Sequence, residues 1–346
     1  MRLVLAVPGD LAAPTGGYAY ARQLLAHLPA QGVAATHLAL PGTFPDPGPD
    51  DLARTADALA QVPADTALLV DGLAYGALPP AVIRAASRPV TALVHHPLGY
   101  ETGLPPERAA ALAASERAAL ALAQRVIASS CFTARLLAAE FGVPRDRITV
   151  AEPGTPPAAR VEPRPGPHVR LLAVGTVTPR KGYPVLVRAL ADLTDLDWSL
   201  TVAGSLDRAP ACAATLRDLI AATGLADRVT LAGAVTPEAL EQLYAEADLA
   251  VSASLFEGYG MALTEALARG LPLVATTGGA AAETVPPGAG RAVPPGDAAA
   301  LATSLRDLIA DAGRRATAAA ASWEAGQRLP DWPATAAAVA DALRTR

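Results

Sequence analysis

Glu257 and Glu265 stand eight residues apart around a glycine turn, in the segment EGYGMALTE. The turn follows the apolar run DLAVSAS and leads into a helical stretch. That geometry suits an anion. Gly258 and Gly260 let the backbone approach a ligand closely, with Tyr259 between them, and the amides of Met261 and Ala262 open the helix without intrahelical acceptors. The positive end of the helix dipole lies behind them, so a diphosphate would be held there without a metal. Glu265 falls four residues after Met261, on the same helix face, where its carboxylate can accept hydrogen bonds from a ribose diol adjoining the phosphates. Glu257, before the turn, would face the hydroxyls of a sugar on the other side. The same strand, glycine and helix order also describes a dinucleotide fingerprint. Leu263 fills the place of its third small residue, however, and no matching loop follows the first apolar run. An ordinary turn carrying two surface glutamates is the plainer alternative.

A second feature is compositional. The 28 basic residues are 27 arginines and one lysine, Lys181. In a chain so biased toward arginine, a surviving lysine marks a place where a compact ammonium serves and a planar guanidinium does not. Chance survival is the competing explanation.

The elements that must position these residues can be read from the apolar runs. Runs at 3–7, 34–40, 67–71, 90–94 and 126–128 have strand length, and helical stretches such as 18–29 and 106–124 lie between them. Six prolines in the eighteen residues 151–168 forbid helix and central strand there. Beyond them the alternation resumes, with strands at 170–175, 198–203, 228–231, 248–253 and 271–275 separated by helices at 183–193, 211–223, 237–245 and 261–269. A last helix is expected at 331–345, after Pro330. The fold class is therefore α/β, with two domains: 1–155, a linker at 156–168, and 169–328, followed by a terminal segment 329–346 packing back toward the first domain. A cleft at the strand C-terminal ends is the expected ligand site.

Composition excludes several functions. With a net charge of −5 the chain has no overall basic field, so nucleic acid is not an expected partner. Cys131 and Cys212 are isolated, without metal-ligand spacing, which points to a reducing cytoplasm and to no metal site. The first apolar run ends in Pro-Gly-Asp and reads as a buried strand, and no uninterrupted apolar run is long enough for an integral membrane segment. Asp195 and Asp197 form a D-x-D in a helix-to-strand loop that is expected to face water.

Four segments in order resemble one known family. PTGGYAYARQLLAHL resembles its glycine loop and first helix, VGTVTPRKGYPVLVRAL its second-domain opening, and RVTLAGAVTPEALEQLYAEADLAVSAS the approach to its E-x7-E segment. EALARGLPLVATTGGAAAETV resembles the stretch that follows. The family is glycosyltransferase family 4, retaining enzymes of the GT-B fold, in which two Rossmann-like domains face each other across a central cleft. The resemblance implies a nucleotide-sugar donor, UDP-linked first and GDP- or TDP-linked as alternatives. It further implies a small-molecule, glycan or lipid-linked acceptor, no cofactor, and front-face displacement without a metal. A same-fold sugar-nucleotide epimerase or phosphorylase, or a non-catalytic nucleotide-sugar binding subunit, is the alternative. Lys181 falls on the lysine expected to neutralise the leaving diphosphate. Thr176 stands where many members carry an arginine, and Arg180 is expected to substitute for it. Gly16 and Gly17 match the glycine loop closing over the diphosphate, and His95 the histidine that reaches the donor sugar, with His96 as the alternative. Val235 falls where relatives hold the base edge. Tyr100 and Glu101, with His96, are the acceptor candidates, and Glu283 matches an acidic residue near the cleft. Neither acceptor identity nor oligomeric state is legible.

Overall fold

The computed structural model describes residues 1–164 and 166–345. Pro165, inside the expected linker, and Arg346, at the end of the expected terminal segment, lie outside the described residues. The chain divides into two compact units, Met1–Gly154 with the C-terminal segment from Pro330, and Thr155–Leu329.

In the first unit six parallel strands form one sheet: β1 (Arg2–Pro8), β2 (Ala34–Leu40), β3 (Thr66–Asp71), β4 (Thr91–Val94), β5 (Arg125–Ala128) and β6 (Ile148–Val150). Their order is β2-β1-β3-β4-β5-β6. The second unit repeats the plan with β7 (Val169–Val174), β8 (Trp198–Ala203), β9 (Val229–Gly233), β10 (Leu249–Ser252), β11 (Leu273–Thr276) and β12 (Gly290–Val293), ordered β12-β11-β10-β7-β8-β9. The inner strands are apolar on both faces because helices cover both sides, so TALV of β4 and LVAT of β11 are buried throughout. Several helix starts are fixed by short polar side chains. Ser130 accepts from the Thr133 amide at 3.0 Å, and Asp331 from the Ala334 amide at 2.8 Å.

Strand order matters for function because it reverses once in each sheet. In the second sheet β8 and β9 extend to one side of β7, and β10 lies on its other side. The chain segments leaving the C-terminal ends of β7 and β10 therefore meet at this switch point, the place where open α/β sheets bind ligands. Lys181 follows β7 and Glu257 follows β10.

The expected alternation of strands and helices is present, with differences at its margins. β6 and β12 are absent from the sequence reading because they are short edge strands of three and four residues, the first only partly buried. The helices Ala298–Ala310 and Ala312–Gly326 are also additional; the first carries the stripe Leu301, Leu305, Leu308 and Ile309 into the core, and the alanine-rich second buries only small side chains, Ala318, Ser322 and Ala325. The described part of the proline-rich stretch carries no helix or strand; up to Gly154 it belongs to the first unit and from Thr155 to the second, where the Val161 amide donates to the Arg269 carbonyl. The last helix, Trp332–Arg344, belongs to the first unit. Trp332 packs edge-on to Tyr20 at 5.5 Å, and the Thr335 hydroxyl donates to the Glu152 carbonyl at 2.7 Å.

Candidate functional site

In the second unit three of the expected residues meet. β7 is followed by Gly175, whose missing side chain lets the stem of Lys181 lie across it; a Cβ there would fall 2.8 Å from Lys181 Cε. The turn Pro179–Lys181 closes at Gly182 in the left-handed region, φ 61°, with its Cα against the Ala253 carbonyl at the end of β10. The Leu255 amide then donates to the Arg180 carbonyl at 2.7 Å. Two backbone segments remote in sequence are thus locked together, and their side chains follow. Lys181 Nζ donates to Glu257 Oε1 at 2.6 Å, and Arg180 Nη1 donates to the Phe256 carbonyl at 2.8 Å and to Glu257 Oε2 at 3.2 Å. Ser254 Oγ adds a bond to Oε1 at 2.6 Å. From the far side, Glu257 donates its amide to the Gly278 carbonyl at 3.1 Å and accepts from the Ala280 amide at 2.8 Å.

Glu257 is 7% exposed. Burial pushes its pKa up, but the charges of Lys181 and Arg180 and the bonds from Lys181 and Ser254 outweigh it and hold the carboxyl at about 2. Two cations thus share one carboxylate, four residues ahead of the next helix. The sequence reading set Glu257 on one side of an anion and Lys181 with the anion itself; in the fold they are directly paired.

Gly260, with φ 102°, turns the chain into the helix Met261–Ala268. The Leu263 amide donates back to the Gly260 carbonyl at 2.8 Å, which leaves the amides of Met261 and Ala262 as the helix's first open donors. The Thr284 hydroxyl donates to the Tyr259 carbonyl at 2.7 Å and steadies the turn of Gly258 and Tyr259. One turn into the helix, Glu265 Oε2 accepts from the Tyr244 hydroxyl at 2.7 Å. Val235 lies in the loop after β9 and packs against the core that includes Leu263. Glu283 sits in the short helix Ala281–Thr284 after the paired glycines.

In the first unit, Gly16 and Gly17 open the helix Gly16–His27 under a Thr15 cap. A Cβ at Gly17 would meet the His95 ring at 3.3 Å, so this glycine makes room for that side chain. His95 follows β4; its Nε2 lies 3.2 Å from Asp71 Oδ2, its carbonyl accepts from Ser129 Oγ at 2.9 Å, and Tyr20 packs edge-on at 5.3 Å. A carboxylate can only accept, so in this pair Nε2 is the donor. His96 turns to Glu101 at 3.3 Å, and the Tyr100 hydroxyl donates to Glu140. Behind this loop the Leu98 amide donates to Glu116 Oε2 at 2.7 Å.

Asp71, Ser254 and Tyr244 escaped the sequence reading. Asp71 had a signal, a carboxylate ending the apolar strand TALLVD, where an uncompensated charge needs a purpose. The D-x-D is occupied elsewhere: Asp195 pairs with Arg306 at 2.6 Å, and Asp197 with His168 at 2.7 Å. Among the described residues no group of three or more His, Cys, Asp or Glu side chains could hold a metal ion, and no helix is long and apolar enough to cross a membrane.

Solved structures share this architecture over nearly the whole chain. Sucrose-phosphate synthase from Thermosynechococcus elongatus superposes with a TM-score of 0.79 at 24% identity, covering 97% of this chain and 96% of that one. Anabaena HepE, solved in complex with UDP and glucose, gives a TM-score of 0.77 at 20% identity, with 99% of each chain covered. Two Rossmann-like units of these strand orders make this a GT-B fold. In sequence, the family model Glycosyltransferase Family 4 matches residues 69–159 and the model Glycosyl transferases group 1 matches residues 158–323. The chain belongs to glycosyltransferase family 4. Among relatives, D-inositol 3-phosphate glycosyltransferase of Nocardia farcinica is 34% identical over 232 residues, 60% of this chain and 51% of the relative. The chain spans about half the length of the curated relatives it matches.

Proposed function

We propose that the chain is a retaining glycosyltransferase that moves a sugar from a nucleotide diphosphate sugar to an acceptor hydroxyl by metal-independent front-face displacement. The observation that carries this reading is the pair of cations, Lys181 and Arg180, held on one buried carboxylate at the sheet's switch point, in the same turn that opens the Met261 amide. In the proposed step the bond from the sugar's anomeric carbon to the diphosphate oxygen breaks while the acceptor oxygen bonds to that carbon from the same face. The departing phosphate oxygen takes the acceptor's proton. Negative charge grows on the diphosphate, and Lys181, Arg180 and the helix-start amides oppose it. Glu257, held ionised, supplies no proton. Both its oxygens are already engaged by cations, which makes it a poor covalent nucleophile and favours the front-face path. Its proposed roles are to fix the two cations and to accept from hydroxyls of the transferred sugar.

The remaining assignments belong to the same proposal. Gly258, Tyr259, Gly260, Met261 and Ala262 form the diphosphate turn, Glu265 takes the ribose, and Val235 the base edge. Gly16, Gly17 and His95 serve the donor, and His96, Tyr100 and Glu101 the acceptor. Relatives named for D-inositol 3-phosphate and the HepE complex with UDP and glucose make UDP-glucose and inositol 3-phosphate the first pair to assay. A cytoplasmic setting, inferred from cysteine usage, completes the reading. Product configuration by NMR tests it. A retained anomeric centre is expected, and an inverted one overturns the mechanism.

A further inference from the structure

Among the described residues the cations of the E-x7-E segment sit on Glu257, whereas Glu265 is met by a phenol. Tyr244, on the helix Pro237–Glu246, is 2% exposed, and its hydroxyl lies 2.7 Å from Glu265 Oε2 and 3.4 Å from the Ala262 carbonyl. The ring is itself clamped. The Arg269 guanidinium lies 4.4 Å from the ring centroid, donates to the Glu265 backbone carbonyl at 2.8 Å and pairs with Glu241. We propose that Tyr244 is a positioning residue for nucleotide recognition: its hydroxyl fixes the rotamer of Glu265, so that the second carboxylate oxygen is aimed at the ribose diol. The inference rests on the donor reading given above.

The chemistry explains why a phenol serves here. Burial pushes the Glu265 carboxyl up, and the Tyr244 bond and the Arg269 charge oppose that push; a carboxylate that lost the bond would be more readily neutralised and free to turn. A lysine in Tyr244's place would neutralise the carboxylate and compete with the diol for its lone pairs. A buried phenol, its own pKa raised well above the usual value by burial, donates one bond and adds no charge. A carboxylate oriented in this way should report the number of ribose hydroxyls it meets, because a site built to bond a hydroxyl discriminates against the analogue lacking it.

The test is the ratio of dissociation constants for UDP and 2′-deoxy-UDP, measured by calorimetry on the full chain for wild type, Glu265→Gln and Tyr244→Phe. If GDP is the nucleotide bound, the GDP pair replaces it. Tyr244→Phe keeps the ring and its packing, and unfolding curves verify that each variant is folded. Wild type should favour the ribonucleotide by roughly tenfold or more, and both substitutions should bring the ratio close to one, mainly by weakening UDP. A general loss of packing would weaken both nucleotides alike and leave the ratio unmoved. If the ratio collapses in Glu265→Gln but survives in Tyr244→Phe, the positioning role is wrong and the donor reading stands. If it survives in both, Glu265 does not meet the ribose and the donor reading of that residue fails with the inference. Collapse in Tyr244→Phe alone also overturns the proposal, since the effect would not pass through Glu265.

Discussion

Each unit buries one glutamate almost completely, and the two behave in opposite ways. Glu257 in the second unit is met by Lys181, Arg180 and Ser254, and is held at about 2. Glu116 in the first unit is 1% exposed; its Oε2 takes the Leu98 amide, its Oε1 has no hydrogen-bond partner, and burial drives its pKa to about 8. Burial alone therefore does not mark a carboxylate as reactive or charged. What differs is the company. The first carries a fixed charge that holds two cations in place, and the second is a neutral acid that ties a loop to the helix Pro106–Leu120.

This contrast can be broken by substitution, the largest effect first. Glu257→Gln keeps the shape but strands two cations in a buried site, and is expected to destabilise the protein by about 3–5 kcal/mol at neutral pH in urea unfolding. In wild type this contribution is present above the unfolded glutamate pKa and is lost as pH falls from about 4.5 toward 2, because the folded value is depressed. A loss below about 1 kcal/mol would mean that the pairing does little for the fold.

Glu116→Gln should act in the other direction. The raised folded pKa means that the wild-type carboxyl stays protonated in the fold while the unfolded chain has already released its proton. Its stabilising contribution is then complete below about 4.5 and lost as pH rises to about 8. Glutamine does not titrate. The variant should therefore gain on wild type by about 1.4 kcal/mol per pH unit across that window, an upper slope set by one proton. Parallel stability curves for the two proteins at pH 5, 6.5 and 8 would show that Glu116 titrates normally.

The same contrast marks how far the sequence could be read. The motif at Glu257 was legible because glycines, amides and both glutamates fall in nine consecutive residues. Lys181 was legible for another reason, as the chain's sole lysine. Their direct bond was not, since it joins residues 76 apart and depends on Gly175 and Gly182 giving up side-chain volume so that two loops can touch. His95 was identified from its place after an apolar strand, but its partner Asp71 lies 24 residues earlier on the adjacent strand, a pairing set by sheet order alone. Tyr244 gave no signal, since its bond to Glu265 joins residues 21 apart on two different helices. Inner strands with apolar faces were found, whereas β6 and β12, short and at the sheet edges, had too little apolar periodicity to be seen.

The central claim is that Lys181 and its neighbours hold a nucleotide diphosphate. It is tested most directly by titrating UDP, in the presence of a metal chelator, into wild type and into Lys181→Ala verified as folded. Wild type should bind UDP without metal, and the variant should bind it weaker by about tenfold or more, the contribution of one charge-assisted phosphate contact, while binding of uridine changes little. Equal UDP affinity in the two proteins would contradict the account.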